Sequence, residues 1–105
     1  MSGLAWAAYG RGDTSHDEGR APVPLFMDVH EIPGGVAMDD VATAHLADLR
    51  TQAAHDVRYL RYWVDEGGGR VFCLVEAPSA EAAAGVHREA HGLVADHIYR
   101  VQEGS

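Results

Sequence analysis

The sequence predicts one α+β domain with the element order β-α-β-β-α-β, in which two helices cover one face of a four-stranded antiparallel sheet. Three observations support this fold class. Segments with alternating apolar and polar residues, typical of strands, flank two segments with helical periodicity. Three consecutive glycines between two strand-like segments indicate a hairpin. The length of 105 residues, 47% of them hydrophobic, suits one domain with a modest core.

The first half of the domain is predicted to contain one strand and one helix. Residues 25–31 alternate in hydrophobicity, as a strand does. Residues 39–55 carry an apolar stripe at helical spacing, and either Asp39 or Asp40 is suited to cap the start of this helix. Their negative charges also interact favourably with the positive end of the helix dipole.

The second half is predicted to contain a hairpin, a helix and a last strand. Residues 57–66 and 70–77 are rich in strand-forming residues, and the three glycines join them. Ser79 is a good N-cap for the second helix, and Gly92 occupies the position expected just beyond its end. Residues 93–102 are predicted to form the last strand. This order is that of the split βαβ, or ferredoxin-like, fold.

Residues 24–102 are expected to form the domain, and residues 1–23 an N-terminal extension outside the core, because the extension shows no sustained periodicity. No segment approaches the roughly 18 apolar residues of a membrane span, and the N-terminus lacks the features of a signal peptide. We therefore expect a cytoplasmic protein with no membrane partner. The net charge of −8 repels phosphate backbones, which argues against a nucleic-acid partner.

Alternation along the predicted strands divides their side chains between two faces of the sheet. The set assigned to the helix-facing side is the more apolar one: Leu25, Met27, Val29, Leu60, Val64, Val71, Cys73 and Val75. The set on the other side, the open face, is mixed: Phe26, Asp28, His30, Tyr59, Arg61, Trp63, Phe72, Leu74 and Glu76. Burying a large apolar side chain contributes about 1.5–3 kcal/mol. We therefore expect a second copy to cover the open face in a homodimer, or else the N-terminal extension to do so.

The charged residues of the open face need partners if they are buried. Glu76 and Arg61 lie on adjacent strands and are predicted to form a structural ion pair, whereas Asp28 and His30 are candidate metal ligands. An alternative function is the binding or oxidation of a small organic molecule on this face. The predicted pocket residues are Phe26, Tyr59, Arg61, Trp63 and Phe72.

Seven histidines in 105 residues are the most informative feature of the composition, because histidine is the commonest metal ligand. His87 and His91 are four residues apart, which places both imidazoles on one helix face. Random placement gives about 0.4 such pairs, so the spacing alone is weak evidence. Imidazole and carboxylate ligands suit nickel, zinc or copper, whereas the single cysteine, Cys73, argues against a thiolate-rich site. No motif for nucleophilic or zinc-dependent hydrolysis accompanies the histidines.

Four sequence blocks, DVHE, VRYLRYW, VFCLVEAP and VHREAHG, resemble a family of small actinobacterial nickel-binding proteins. The resemblance covers residues 24–102 and implies a ferredoxin-like homodimer that binds nickel or a similar divalent transition metal. It marks His30, His87 and His91 as the principal candidate ligands. The secondary candidates are His45, Asp28 and Glu76.

Alternation places His30 on the open face, whereas the second helix, with His87 and His91, covers the opposite face. We therefore expect separate metal sites, a cluster at a strand end, or a site completed across a dimer. A regulatory or interaction module that binds no small ligand is a third functional hypothesis.

Overall fold

The computed structural model describes residues 23–105, which form a four-stranded antiparallel sheet with two helices packed on one face. The element bounds are β1 Leu25–Glu31, α1 Met38–Thr51, β2 Arg58–Asp65, β3 Arg70–Glu76, α2 Ala80–Ala90 and β4 His97–Val101. A 3-10 helix, Gln52–His55, follows α1 directly. The strand order is β2-β3-β1-β4, and each neighbouring pair is antiparallel. The predicted ferredoxin-like α+β fold is confirmed.

The predicted N-terminal extension, residues 1–23, lies outside the described residues except for Val23. The alternative in which this extension covers the open face likewise falls outside them. Among residues 23–105, no helix is long and apolar enough to cross a membrane.

The second helix, α2, begins and ends where its sequence predicts. The Ala82 N–H donates a hydrogen bond to Oγ of Ser79 at 3.1 Å, which makes Ser79 the N-cap. Gly92 follows the helix with φ +82°, a left-handed conformation that residues with a Cβ atom rarely adopt. Both ends are set by local interactions, which is why the sequence predicts them.

The first helix, α1, begins differently from the prediction. Asp39 and Asp40 lie in its first turn, and neither caps it. Instead, the Met38 N–H donates to Oε2 of Glu66 in the β2–β3 hairpin at 2.7 Å. A tertiary contact therefore takes the place of a local cap at this end.

The predicted faces are correct for β3 and inverted for β1. On β3 the residues predicted to face the helices do so: Val71, Cys73 and Val75. On β1 the residues predicted to face the helices lie on the open face instead: Leu25, Met27 and Val29. Their neighbours Phe26, Asp28 and His30 are buried under the helices, with Asp28 opposite Cys73 in the register. The prediction failed because it assigned the more apolar set to the core, whereas polar side chains that contact one another occupy part of this core.

A β-bulge in β2 mixes correct and incorrect face assignments. The register shifts between Tyr59 and Arg61, and Leu60 falls at this bulge. Tyr59 is therefore buried on the helix side, contrary to the prediction. Beyond the bulge Val64 faces the helices, and Arg61 and Trp63 belong to the open face, as predicted.

The open face is more apolar than predicted. Its apolar and aromatic residues are Leu25, Met27, Val29, Trp63, Phe72, Leu74, Tyr99 and Val101. Trp63 and Tyr99 remain 47% and 54% exposed. Glu76 pairs with Arg58 rather than with Arg61, at 3.3 Å between Nη1 and Oε1. Because the Arg58 side chain is largely exposed, this ion pair contributes little stability.

Candidate metal centre

Five ionisable side chains meet between the sheet and the two helices. Asp28 and His30 come from β1, Asp48 from α1, His87 from α2, and His91 from the residue that follows α2. Asp28, His87 and Asp48 are 0%, 1% and 2% exposed, and His30 is 8% exposed. Removing carboxylates from water is unfavourable unless they are paired or bind a metal ion. This cluster is therefore the strongest candidate for a functional site among the described residues.

Strand and helix periodicity bring these side chains together. Residues two apart on a strand share a face, so Asp28 and His30 both point from β1 towards the helices. His87 and His91 share a helix face, and their ring centroids are 5.0 Å apart. The structure therefore contradicts the expectation that the sheet separates His30 from the two helix histidines.

Three of the side chains have the spacing of a metal's ligand shell. The Nε2 atoms of His30 and His87 are 3.3 Å apart. Oδ2 of Asp28 lies 3.0 Å from Nε2 of His87, and Oδ1 of Asp28 lies 3.3 Å from Nε2 of His30. Ligand atoms bonded to a metal at about 2.1 Å are about 3.0 Å apart across a right angle and about 3.4 Å apart across a tetrahedral angle. We call Asp28, His30 and His87 the inner triad.

The two carboxylate oxygens of Asp28 differ in their contacts. The Tyr59 hydroxyl donates a hydrogen bond to Oδ2 at 2.9 Å and also lies 3.1 Å from the carbonyl oxygen of Ala83. Oδ1 is buried and has no hydrogen-bond partner among the described residues, although Nε2 of His30 lies 3.3 Å away. A buried polar atom without a partner costs about 1–3 kcal/mol. Oδ1 is therefore the atom of the inner triad most available to a metal ion.

Asp48 orients the ring of His87. Oδ1 of Asp48 lies 2.9 Å from Nδ1 of His87, and a carboxylate only accepts hydrogen bonds, so Nδ1 carries a proton. The lone pair of a neutral His87 ring is then on Nε2, which faces Asp28 and His30. A carboxylate behind a ligating histidine fixes its tautomer and raises its basicity in many metal sites.

In the metal-free protein, His87 lies between two carboxylates. Burial lowers the pKa of His87, but hydrogen bonds to Asp28 and Asp48 and the charges of both carboxylates outweigh burial and raise it to about 9. Burial raises the pKa of Asp28, but the close approach of the His30 and His87 side chains and their positive charge hold it well below its usual range. At neutral pH His87 is therefore an imidazolium that donates to both aspartates.

His91 has a different tautomer from His87. The Leu93 N–H donates to Nδ1 of His91 at 3.1 Å, so Nδ1 is unprotonated and the proton of the neutral ring is on Nε2. Among the described residues Nε2 is buried without a hydrogen-bond partner, although Oδ1 of Asp48 lies 3.1 Å away. Burial lowers the pKa of His91, which keeps the ring neutral.

The other candidate ligands lie around the inner triad or away from it. The Cys73 sulfur lies beside the inner triad, but burial and the nearby Asp28 raise the pKa of its thiol, which keeps it protonated. His45 packs against the Tyr62 ring with centroids 4.7 Å apart, and burial lowers its pKa. Glu76 lies on the open face, so the sheet separates it from the cluster.

A cleft of about 80 Å³ leads to the cluster from the helix side of the sheet. Its polar lining residues are His30, Asp40, His45, Asp48, His87 and His91. The predicted pocket residues on the open face do not form one surface, because Phe26 and Tyr59 are buried under the helices while Trp63 and Phe72 lie on the open face. None of these residues, nor Arg61, lines the cleft.

Asp48 and the role of Tyr59 were missed by sequence reasoning. Asp48 lies seven residues after Val41 and three after His45, which is the spacing of the apolar stripe of α1. An acidic residue on an otherwise apolar helix face indicates a buried carboxylate, and this pattern could have identified Asp48. The contact between Tyr59 and Asp28 depends on the β2 bulge, which left no signal in the sequence.

Comparison with known proteins identifies the family of the part of the chain that contains this cluster. A family model described as nickel-responsive protein, SCO4226-like, matches residues 26–101, which contain all five residues of the cluster. The crystal structure of SCO4226 from Streptomyces coelicolor A3(2) is 40% identical in sequence, with a TM-score of 0.71 over 77% of this chain and 99% of that chain. The comparison with curated proteins gives no match. The resemblance to a nickel-related family is confirmed, and the chain belongs to the SCO4226-like family of nickel-responsive proteins.

Proposed function

We propose that the protein binds one divalent transition metal ion per chain, with nickel as the first candidate, through the inner triad. Its ligand atoms are Oδ1 of Asp28 and the Nε2 atoms of His30 and His87. The observation that carries this proposal is the buried Oδ1, which accepts no hydrogen bond and lies 3.3 Å from an imidazole nitrogen. The designation of the family as nickel-responsive supports nickel as the ion.

The chemistry of these donors supports a borderline metal ion. Two imidazoles and one carboxylate suit Ni²⁺, Zn²⁺ or Cu²⁺, whereas Ca²⁺ and Mg²⁺ prefer oxygen ligands. Two further side chains hold the ligands in place, Asp48 through Nδ1 of His87 and Tyr59 through Oδ2 of Asp28. Three protein ligands leave coordination positions for water or another molecule.

A buried hydrogen-bond network with no metal is the competing interpretation of the cluster. It accounts for the contacts of His87 with Asp28 and Asp48, because an imidazolium satisfies one oxygen of each carboxylate. It does not account for Oδ1 of Asp28 or Nε2 of His91, which are both buried without hydrogen-bond partners. Metal binding accounts for the first of these atoms.

We also propose that the protein is a cytoplasmic homodimer in which two open faces pack together. The apolar residues of this face run across all four strands, and Trp63 and Tyr99 are about half exposed. An exposed apolar surface of this kind favours association, and a two-fold dimer covers both copies at once. The metal centre lies on the other side of the sheet, so each chain holds a complete inner triad.

Calorimetric titration with Ni²⁺ tests the metal site on the full chain, purified without a histidine tag. We expect one ion per chain for the wild type and loss of this binding in His30→Gln and His87→Gln. His97→Gln is the matched control, because His97 is about half exposed and lies opposite Val29 on the open face. Circular dichroism establishes that each variant is folded. Equal binding by wild type and a folded His30→Gln variant would contradict the proposed site.

A further inference from the structure

We infer that the cleft above the metal centre binds a small monocarboxylic acid with a short apolar chain. In this arrangement one carboxylate oxygen coordinates the metal ion, and the other accepts a hydrogen bond from Nε2 of His91. This inference rests on the proposed metal site. It adds a ligand class that the metal site alone does not specify.

Two of the three candidate metal ligands border the cleft. His30 and His87 line the cleft, whereas Asp28 does not and lies behind them. A metal ion held by these three side chains would have coordination positions that can be reached from the cleft. Water or an exogenous ligand would occupy those positions.

His91 supplies a second anchor next to the metal. Its Nδ1 accepts the Leu93 N–H, so the proton of the ring is on Nε2. Nε2 is buried without a hydrogen-bond partner among the described residues, with Oδ1 of Asp48 3.1 Å away, and His91 lines the cleft. This tautomer makes His91 a hydrogen-bond donor to a ligand rather than a ligand of the metal. A donor beside a divalent cation is an arrangement that suits a carboxylate.

The walls of the cleft favour a hydrocarbon chain behind the carboxylate. Its apolar lining residues are Ile32, Val36, Val41, Ala44, Val71 and Leu93. A cleft of about 80 Å³ with these walls has room for a short hydrocarbon chain. Asp40 and Asp48 also line the cleft. Asp48 pairs with Nδ1 of His87, whereas the exposed Asp40 would repel a second carboxylate on the ligand. The cleft therefore suits a monocarboxylate such as butyrate better than a dicarboxylate.

Titration of the Ni²⁺-loaded protein with acetate, butyrate and succinate tests this inference, with heat and the visible absorption of Ni²⁺ as readouts. We expect all binding to require the metal. Each buried methylene contributes about 0.8 kcal/mol, or about fourfold, so butyrate should bind about 15-fold more tightly than acetate. Succinate should bind more weakly than butyrate.

Three variants separate the two anchors from the apolar walls. Ala44→Leu fills the cleft, so it should bind Ni²⁺ normally and lose the preference for butyrate over acetate. His91→Leu removes the donor and should weaken binding of both acids at least tenfold, since a hydrogen bond to a charged group is strong. His91→Gln places an amide N–H near the former Nε2 position and should restore most of that loss. Both His91 variants should bind Ni²⁺ as the wild type does.

The outcomes distinguish this inference from the proposed metal site. Normal Ni²⁺ binding with no response to any acid, or equal affinity for acetate and butyrate, would overturn the inference and leave the metal site standing. Loss of Ni²⁺ binding in a folded His91→Leu variant would make His91 a metal ligand and would also overturn it. Failure of the wild type to bind Ni²⁺ at all would overturn both proposals.

Discussion

The proton that His87 holds in the metal-free protein determines how nickel binding depends on pH. With a pKa of about 9, His87 is almost fully protonated at pH 7, and Ni²⁺ must displace the proton on Nε2. One pKa unit corresponds to about 1.4 kcal/mol, so removing this proton at pH 7 costs about 3 kcal/mol. Apparent affinity at pH 7 should therefore be about 100-fold lower than above pH 9. A histidine with an ordinary pKa near 6.5 would produce almost none of this loss.

Calorimetry in buffers of different ionisation enthalpy counts the protons released on binding. At pH 7 we expect about one proton per Ni²⁺ ion, and between pH 7 and 8 we expect the dissociation constant to fall about tenfold. Asp48→Asn removes one of the charges that raise the pKa of His87, so it should lower the number of protons released at pH 7. His55→Gln is the control, because His55 pairs with Glu89 near the surface and should leave proton release unchanged. Binding without proton release at pH 7 would contradict the displacement of a proton from Nε2 of His87, and with it either the raised pKa of His87 or the assignment of Nε2 as a ligand.

Three further predictions address stability and assembly. The raised pKa of His87 stabilises the metal-free protein by roughly 3 kcal/mol at pH values below the unfolded pKa of about 6.5, and this stabilisation is lost as pH rises through about 9. The melting temperature should therefore fall between pH 7 and 10, and it should fall less in His87→Gln. Tyr59→Phe removes the hydroxyl that donates to Oδ2 of Asp28, so urea unfolding should show a free energy of unfolding lower by about 1–3 kcal/mol. Calorimetry should show a roughly tenfold weaker affinity for Ni²⁺. Trp63→Glu places a charge on the open face, so light scattering should show a monomeric variant and a dimeric wild type. The Ni²⁺ stoichiometry per chain should be unchanged. A dimeric Trp63→Glu variant would contradict the proposed interface.

The parts of the fold that local interactions determine could be predicted from the sequence. The limits of α2 follow from Ser79 and Gly92, whose capping roles depend only on nearby backbone atoms. The face assignments of β3 follow from its alternation. The start of α1 could not be predicted, because the partner of its first N–H is Glu66 in a distant hairpin.

The face of β1 could not be predicted from its alternation. The two alternating sets of β1 are equally periodic, and hydrophobicity favours the one that contains Met27 and Val29. The observed choice places Asp28 and His30 inside, and it is stable because α1 and α2 supply Asp48 and His87 as partners. That information lies in contacts between residues far apart in the chain. This inversion also explains why the candidate histidines were expected to lie apart.

Most polar atoms of the cluster have a partner in two states of the protein, one with a proton on Nε2 of His87 and one with a metal ion bound there. Counting only His87, Asp28 and Asp48, the metal-free state holds one positive and two negative charges in a buried region. Replacing the proton with a divalent ion makes this sum neutral, which is favourable where the dielectric constant is low. It also gives Oδ1 of Asp28 the partner that it lacks in the metal-free protein. Because the imidazolium already pairs with both aspartates, the fold does not depend on the metal, and the binding energy is available for affinity rather than for folding.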